Sequence, residues 1–160
     1  MATSDTSSEG ASLHSDADPR PGYLLKRVTV AVRSQLDEVL RPLGLTVPQY
    51  ACMHALYETP QISGAELARA TLVTRQAVYR LLSDLGDRGL IEQEPSPNSH
   101  ARRVRLTDDG CRLIERAIGP VRMIEDEMFG DFTDAERELF TMMLIRCEQR
   151  VRSFRIPPAA

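Results

Sequence analysis

Arg75, Gln76, Tyr79 and Arg80 are spaced so that, on a helix, Arg75 lies over Tyr79 and Gln76 over Arg80 in two adjacent columns one turn apart. Such a surface suits the edges of stacked bases. A guanidinium can fork onto guanine O6 and N7, an amide can pair with adenine N6 and N7, and a phenol reaches phosphate or a base edge. Further along the chain, Arg102, Arg103 and Arg105 crowd together beside His100. Arginines carried on a thin hairpin can enter a minor groove or grip phosphates, because a narrow groove concentrates negative potential. The same residues also read as a solvated helix face and as a charged strand edge that discourages aggregation. What surrounds them separates these readings.

Apolar residues at Leu24, Leu25, Val28, Ala31, Val32, Leu36, Val39 and Leu40 recur at three- and four-residue steps until Pro42 and Gly44. They predict a first helix whose apolar stripe is too wide for a helix standing alone on a surface. Thr46 and Gln49 have capping-box spacing ahead of the run from Tyr50 to Leu56, and Thr59-Pro60 closes that helix. Ser63 and Glu66 repeat the box and open a short Ala-rich helix to about Ala70. A fourth helix follows from about Thr74 to Arg88, with Val78, Leu81, Leu82 and Leu85 inward and the Arg75 to Arg80 columns outward, and Gly89 supplies its left-handed cap. Leu90 to Glu94 and Arg102 to Leu106 flank a turn-rich stretch as the arms of a β-hairpin, Val104 and Leu106 on one side, Arg103 and Arg105 on the other.

Thr107 caps a long helix to about Met128, which Gly119-Pro120 is expected to bend. Thr133 and Glu136 start a last helix expected to turn Phe140, Met143, Leu144, Cys147 and Val151 inward. Met53, Met123, Met128, Met142 and Met143 read as core filler. The predicted fold is mainly α with a small β-hairpin wing: a winged helix-turn-helix with long N- and C-terminal dimerisation helices. Its parts are a disordered acidic tail over 1–20, a dimerisation helix over 21–45, a DNA-binding lobe over 46–107 and C-terminal dimerisation helices over 108–155.

Length and composition agree with one helical domain. The chain has 160 residues, 42% apolar and 27% charged, with no Trp and 5% aromatics, so Leu, Val, Ile, Ala and Met must fill the core. A net charge of −3 excludes a uniformly basic coat but not a local basic patch. Cys52, Cys111 and Cys147 are too scattered for a disulfide framework or a zinc site. Cys52-x-His54 places its two side chains on different helix faces, a packed thiol and a core-edge imidazole in preference to a metal or nucleophile pair. No triad, metal cluster or phosphate loop is spaced for enzymatic work, so no catalytic residue and no cofactor is expected. Without a signal-like segment or an apolar run of about 18 residues, the chain is expected to be cytoplasmic, with no membrane partner.

Gly22-Tyr23-Leu24-Leu25, Leu43-Gly44-Leu45-Thr46-Val47-Pro48-Gln49-Tyr50, Ala65-Glu66-Leu67-Ala68, Val73-Thr74-Arg75-Gln76, Leu85-Gly86-Asp87-Arg88-Gly89-Leu90 and Leu106-Thr107-Asp108-Asp109-Gly110 follow one another in an order that resembles the MarR family of bacterial transcription regulators, over about residues 22 to 152. The resemblance implies a homodimer on double-stranded DNA at a pseudo-palindromic operator, with small phenolic or other lipophilic ligands relieving repression. It matches Thr74, Arg75, Gln76, Tyr79 and Arg80 to DNA-facing positions; Ser63, His100, Arg102 and Arg103 complete the candidate DNA contacts. Where the family often carries Asp-x-Arg at the wing tip, Asn98-Ser99-His100 stands here. Either Arg102 or Arg103 takes over that minor-groove contact, or His100 makes it when protonated and affinity rises toward a pH of about 6; the plainer reading of His100 is a hydrogen-bonding loop residue.

Tyr23, Arg27, Tyr50 and His54 are the candidate ligand-binding residues, the Arg to pair with an aromatic carboxylate and the rings to wall it, and they read equally as dimer-interface residues. The expected function is a DNA-binding transcriptional repressor released by a small lipophilic or phenolic ligand. The competing classes are a winged-helix protein-protein interaction module and a redox-responsive regulator using Cys111, since the first helix holds no Cys.

Overall fold

A computed structural model of the chain describes residues 20–95 and 102–155. The expected acidic tail and His100 lie outside the described residues. The order is α1 (Pro21–Leu40), a short 3-10 turn (Arg41–Leu43), α2 (Val47–Glu58), β1 (Ile62–Ser63), α3 (Gly64–Ala70), α4 (Arg75–Asp87), β2 (Ile91–Pro95), β3 (Arg102–Leu106), α5 (Asp108–Met128) and α6 (Asp134–Ser153). The fold is mostly helical with a small antiparallel sheet, as the sequence predicts.

Local chemistry sets the helix starts. Thr46, Ser63 and Thr133 each form a complete capping box, and Thr74 and Thr107 each accept a backbone N–H of the first turn. These bonds satisfy amides that have no partner inside the helix. Gly89, at φ 68°, follows the end of α4 in the left-handed conformation that glycine adopts without steric cost.

Glu66 and Glu136 return their carboxylates to the caps: Glu66 Oε2 accepts from the Ser63 backbone and hydroxyl at 2.7 Å, and Glu136 Oε2 from those of Thr133 at 2.8 Å. The backbone bond first, then the hydroxyl, hold both carboxyls below the ordinary value of 4.5. A carboxyl whose folded pKa is depressed stabilises the fold above its unfolded value, and that contribution disappears as pH falls through the folded one. The thermal midpoint should therefore drop on acidification below about 4.5, and Glu136→Gln, which keeps the box but cannot ionise, should flatten part of that drop. A melting profile in which Glu136→Gln and Glu66→Gln both follow the wild type through acid would contradict this.

The core gathers around α2. Leu40, Met53, Leu56, Leu67, Leu85 and Ile114 are fully buried, one or more from each of α1 to α5, with Val78 from α4 and Val104 from the sheet. The hairpin pairs Ile91 with Leu106 through Pro95 with Arg102, and buries Val104 and Leu106 as alternation requires. A third strand, β1, which the sequence reading did not foresee, pairs Ile62 with Val104 and Ser63 with Arg103, giving the order β1-β3-β2. Gly110, in the first turn of α5, is packed so tightly that a Cβ there would stand 2.1 Å from the Leu90 carbonyl oxygen.

The last helix corrects an expectation. No residue of α6 is buried: Met143, Leu144, Cys147 and Val151 are exposed and Phe140 is half-buried against Phe129 and Phe132. Of the methionines read as core filler, Met53 alone is in the core, while Met123, Met128, Met142 and Met143 are exposed. Among the described residues, nothing covers these apolar side chains. Tyr23, Leu24, Leu25, Val28 and Val30 leave the N-terminal half of α1 in the same condition.

Candidate nucleic-acid interface

The face that offers Arg75, Gln76, Tyr79 and Arg80 is built from the inside outward. Val78, Leu82 and Leu85 sink one stripe of α4 into the core, which leaves the two predicted columns exposed, Tyr79 to 68%. α3 leads into α4 through a turn in which Leu72 takes φ 57° and reverses the chain. Thr71 ties the turn back through its hydroxyl to the Leu67 carbonyl at 2.8 Å. Thr74 ends the turn as the α4 cap, its hydroxyl accepting the Ala77 N–H at 3.2 Å. Four backbone positions thus separate the two helices, which fixes α4 as a rigid ridge on the surface.

Ser63 is engaged locally: its hydroxyl donates to Glu66 and accepts the Glu66 N–H. The sheet carries the arginines beside this ridge. Arg103 projects from the central strand, exposed, with Nη1 donating to Gln61 Oε1 at 3.3 Å. Gln61 orients Arg103 from a left-handed φ of 64°, a partner that no sequence pattern announced. Arg105 is different: Nη2 meets Glu92 at 2.6 Å and Nε meets Glu94 at 3.0 Å. Both pairs are about half exposed and add little stability, but they occupy the guanidinium. Arg102 takes its place at the start of β3, opposite Pro95.

Of the candidate ligand residues, the structure brings two together. Tyr50 and His54 lie one turn apart on α2 with ring centroids 5.6 Å apart. Burial, and then the Glu125 charge, push the Tyr50 phenol above its ordinary value. Tyr23 and Arg27 are exposed near the start of α1. A cavity of about 800 Å³ opens between α1 and α5, walled by Val28, Val32, Gln35, Val39, Met123 and Ile124, and none of the four candidates lines it. Apolar positions on α1 and α5 announce burial and not a gap, so that cavity has no signature in the sequence.

Cys52 is fully buried, and desolvation pushes its thiol up to about 11, so it is not a thiolate at neutral pH. Among the described residues, no three His, Cys, Asp or Glu side chains converge as a metal site, and no helix is long and apolar enough to cross a membrane.

A short helix, a tight turn, a helix with a polar outer face and a three-stranded antiparallel wing together define a winged helix-turn-helix protein. Comparison with known proteins narrows the class. A model described as "MarR family" matches residues 43–102. The HTH-type transcriptional repressor Rv2887 of Mycobacterium tuberculosis is 37% identical over 130 residues, covering 80% of this chain and 94% of that protein. Its crystal structure in complex with DNA superposes with a TM-score of 0.65 at 35% identity, covering 81% of this chain and 98% of that one. The same protein in complex with salicylic acid gives a TM-score of 0.60 at 35% identity, over 81% and 99% of the two chains. The chain belongs to the MarR family.

Proposed function

We propose that this protein is a homodimeric transcriptional repressor that binds a pseudo-palindromic DNA site and lets go when a small lipophilic or aromatic acid binds. The observation that carries this reading is α4 itself: Arg75, Gln76, Tyr79 and Arg80 stand exposed in two columns because Val78, Leu82 and Leu85 are buried behind them. The repressor name of the relative, and its complexes with DNA and with salicylic acid, support the same assignment.

In this reading α4 enters a major groove, Arg75, Gln76 and Arg80 meet base edges, and Thr74, Tyr79 and Ser63 sit at the backbone. Arg103, with Arg102 and His100 from the wing, follows the phosphates or the neighbouring minor groove. Residues 46–107 form the DNA-binding lobe, while 21–45 and 108–155 form the dimer, which gives the uncovered apolar faces of α1 and α6 a partner. The protein works in the cytoplasm and by binding, not by turnover. Dimer geometry sets the separation of the two copies of α4. A ligand near Tyr50 and His54, with Tyr23 and Arg27 contributed across the dimer, acts only insofar as it prefers a separation that DNA does not.

Selection of duplexes from a random pool by the full-length protein tests the reading. It should enrich two-fold symmetric sites with half-site centres about 10 bp apart, and affinity for the selected duplex should fall steeply with salt as counterions are released. A pool that shows no enrichment would refute it, and so would binding indifferent to salt; either outcome would favour the protein-interaction module.

A further inference from the structure

Gln49 is the last residue of the capping box of α2, and its side-chain amide has two engagements. Oε1 accepts the Thr46 N–H at 2.8 Å, which completes the box. Nε2 points away from the helix and donates to Asp84 Oδ2 at 2.5 Å, across 35 positions of sequence. One planar group therefore ties the first turn of α2 to the far half of α4. The residue after Gln49 is Tyr50, packed against the core and within reach of the Glu125 charge on α5. That turn of α2 thus touches both the long α5 frame and the recognition helix.

Asp84 stands one turn beyond Arg80 in the same column as Gln76. A carboxylate and a guanidinium at that spacing on a helix surface are close enough to pair. Yet among the described residues Arg80 makes no ion pair, and the Asp84 carboxylate is turned to Gln49. We infer that Gln49 is a positioning residue for DNA recognition, holding Asp84 so that α4 is fixed against α2 and Arg80 is kept clear of the acid next to it. The inference rests on the DNA-binding reading above and adds to it the group that keeps the recognition arginine available.

The pair can be reversed without disturbing the cap, because Thr-x-x-Glu is the other form of the capping box. Gln49→Glu keeps the bond to the Thr46 N–H but sets a carboxylate against Asp84, releasing the latter to the guanidiniums one turn away on either side, Arg80 and Arg88. Asp84→Asn removes the competing acid and still accepts from Gln49. In the double variant the new amide at position 84 donates to the new carboxylate at position 49, and net charge returns to that of the wild type.

The experiment measures each full-length variant against the duplex selected by the wild type and against a scrambled duplex of the same length. Gln49→Glu should lower the ratio of specific to nonspecific affinity about tenfold, a loss typical of one base-reading side chain. Asp84→Asn should stay within about twofold of the wild type, and the double variant should recover to the same range, a coupling that additive effects cannot give. A charge effect alone would move specific and nonspecific affinity together and leave the two substitutions additive. The inference is overturned by that pattern, by a double variant no better than Gln49→Glu, or by Gln49→Glu behaving as wild type. Unaltered helicity and melting of Gln49→Glu would set a lost ratio apart from unfolding. If the wild type itself does not prefer the selected duplex, it is the DNA-binding reading that fails.

Discussion

Gly110→Ala is expected to destabilise the protein by about 3 kcal/mol or more, although a glycine-to-alanine change within a helix ordinarily stabilises by up to about 1 kcal/mol. The new Cβ would lie 2.1 Å from the Leu90 carbonyl oxygen and 3.4 Å from the Leu106 Cβ. The Leu90 carbonyl cannot step aside, because it accepts the Thr107 N–H at 3.1 Å, while the Leu90 N–H is bonded to the Leu85 carbonyl at 2.9 Å. Thr107 also donates its hydroxyl to the Gly89 carbonyl at 2.7 Å. The end of α4, the start of the wing and the first turn of α5 therefore meet at one backbone junction. Relief of the clash must shift α5 against the end of α4 and the sheet. Urea or thermal unfolding measures the loss, and a midpoint within about 2 °C of the wild type would show that the junction yields.

The second large effect belongs to the exposed face of α4. Arg75→Ala and Arg80→Ala should each weaken binding to a selected duplex about 10- to 100-fold, the range of one lost bidentate base contact. Binding to unrelated DNA should fall much less. Stability should stay within about 0.5 kcal/mol, because neither side chain is buried. Arg80→Lys makes the sharper comparison: it keeps the charge and the nonspecific affinity but loses the planar fork, so specificity should fall with little change in salt dependence. Arg105→Ala should matter least of the arginines considered, since Glu92 and Glu94 already hold its guanidinium. Titrations in which Arg75→Ala and Arg80→Ala both match the wild type on the selected site would remove α4 from the interface.

What the sequence discloses follows from how local the physics is. Thr46, Ser63, Thr74, Thr107 and Thr133 announce helix starts because each cap closes within three residues, and all five cap in the structure. Alternation in 102–106 reveals the hairpin arm for the same reason. β1 escapes notice because it is two residues long and exists only through pairing with Val104 and Arg103, some forty positions away. Gln49 reads as a cap, and its second bond, to Asp84, has no signature in either stretch. Gly110 belongs to a recognisable Leu-Thr-x-x-Gly run, but the reason for it, the Leu90 carbonyl, becomes visible only in three dimensions. The α6 residues expected inward failed in a more instructive way: periodicity reports that a stripe wants cover without saying which polypeptide provides it.

That uncovered stripe has a consequence for dosage. A regulator completed only by its twin is subject to mass action, so the fraction competent to silence a gene rises with copy number and collapses on dilution. Scarcity would then act as an inducer in its own right. When synthesis lags behind growth or proteolysis is rapid, the paired fraction would fall before any small molecule arrived.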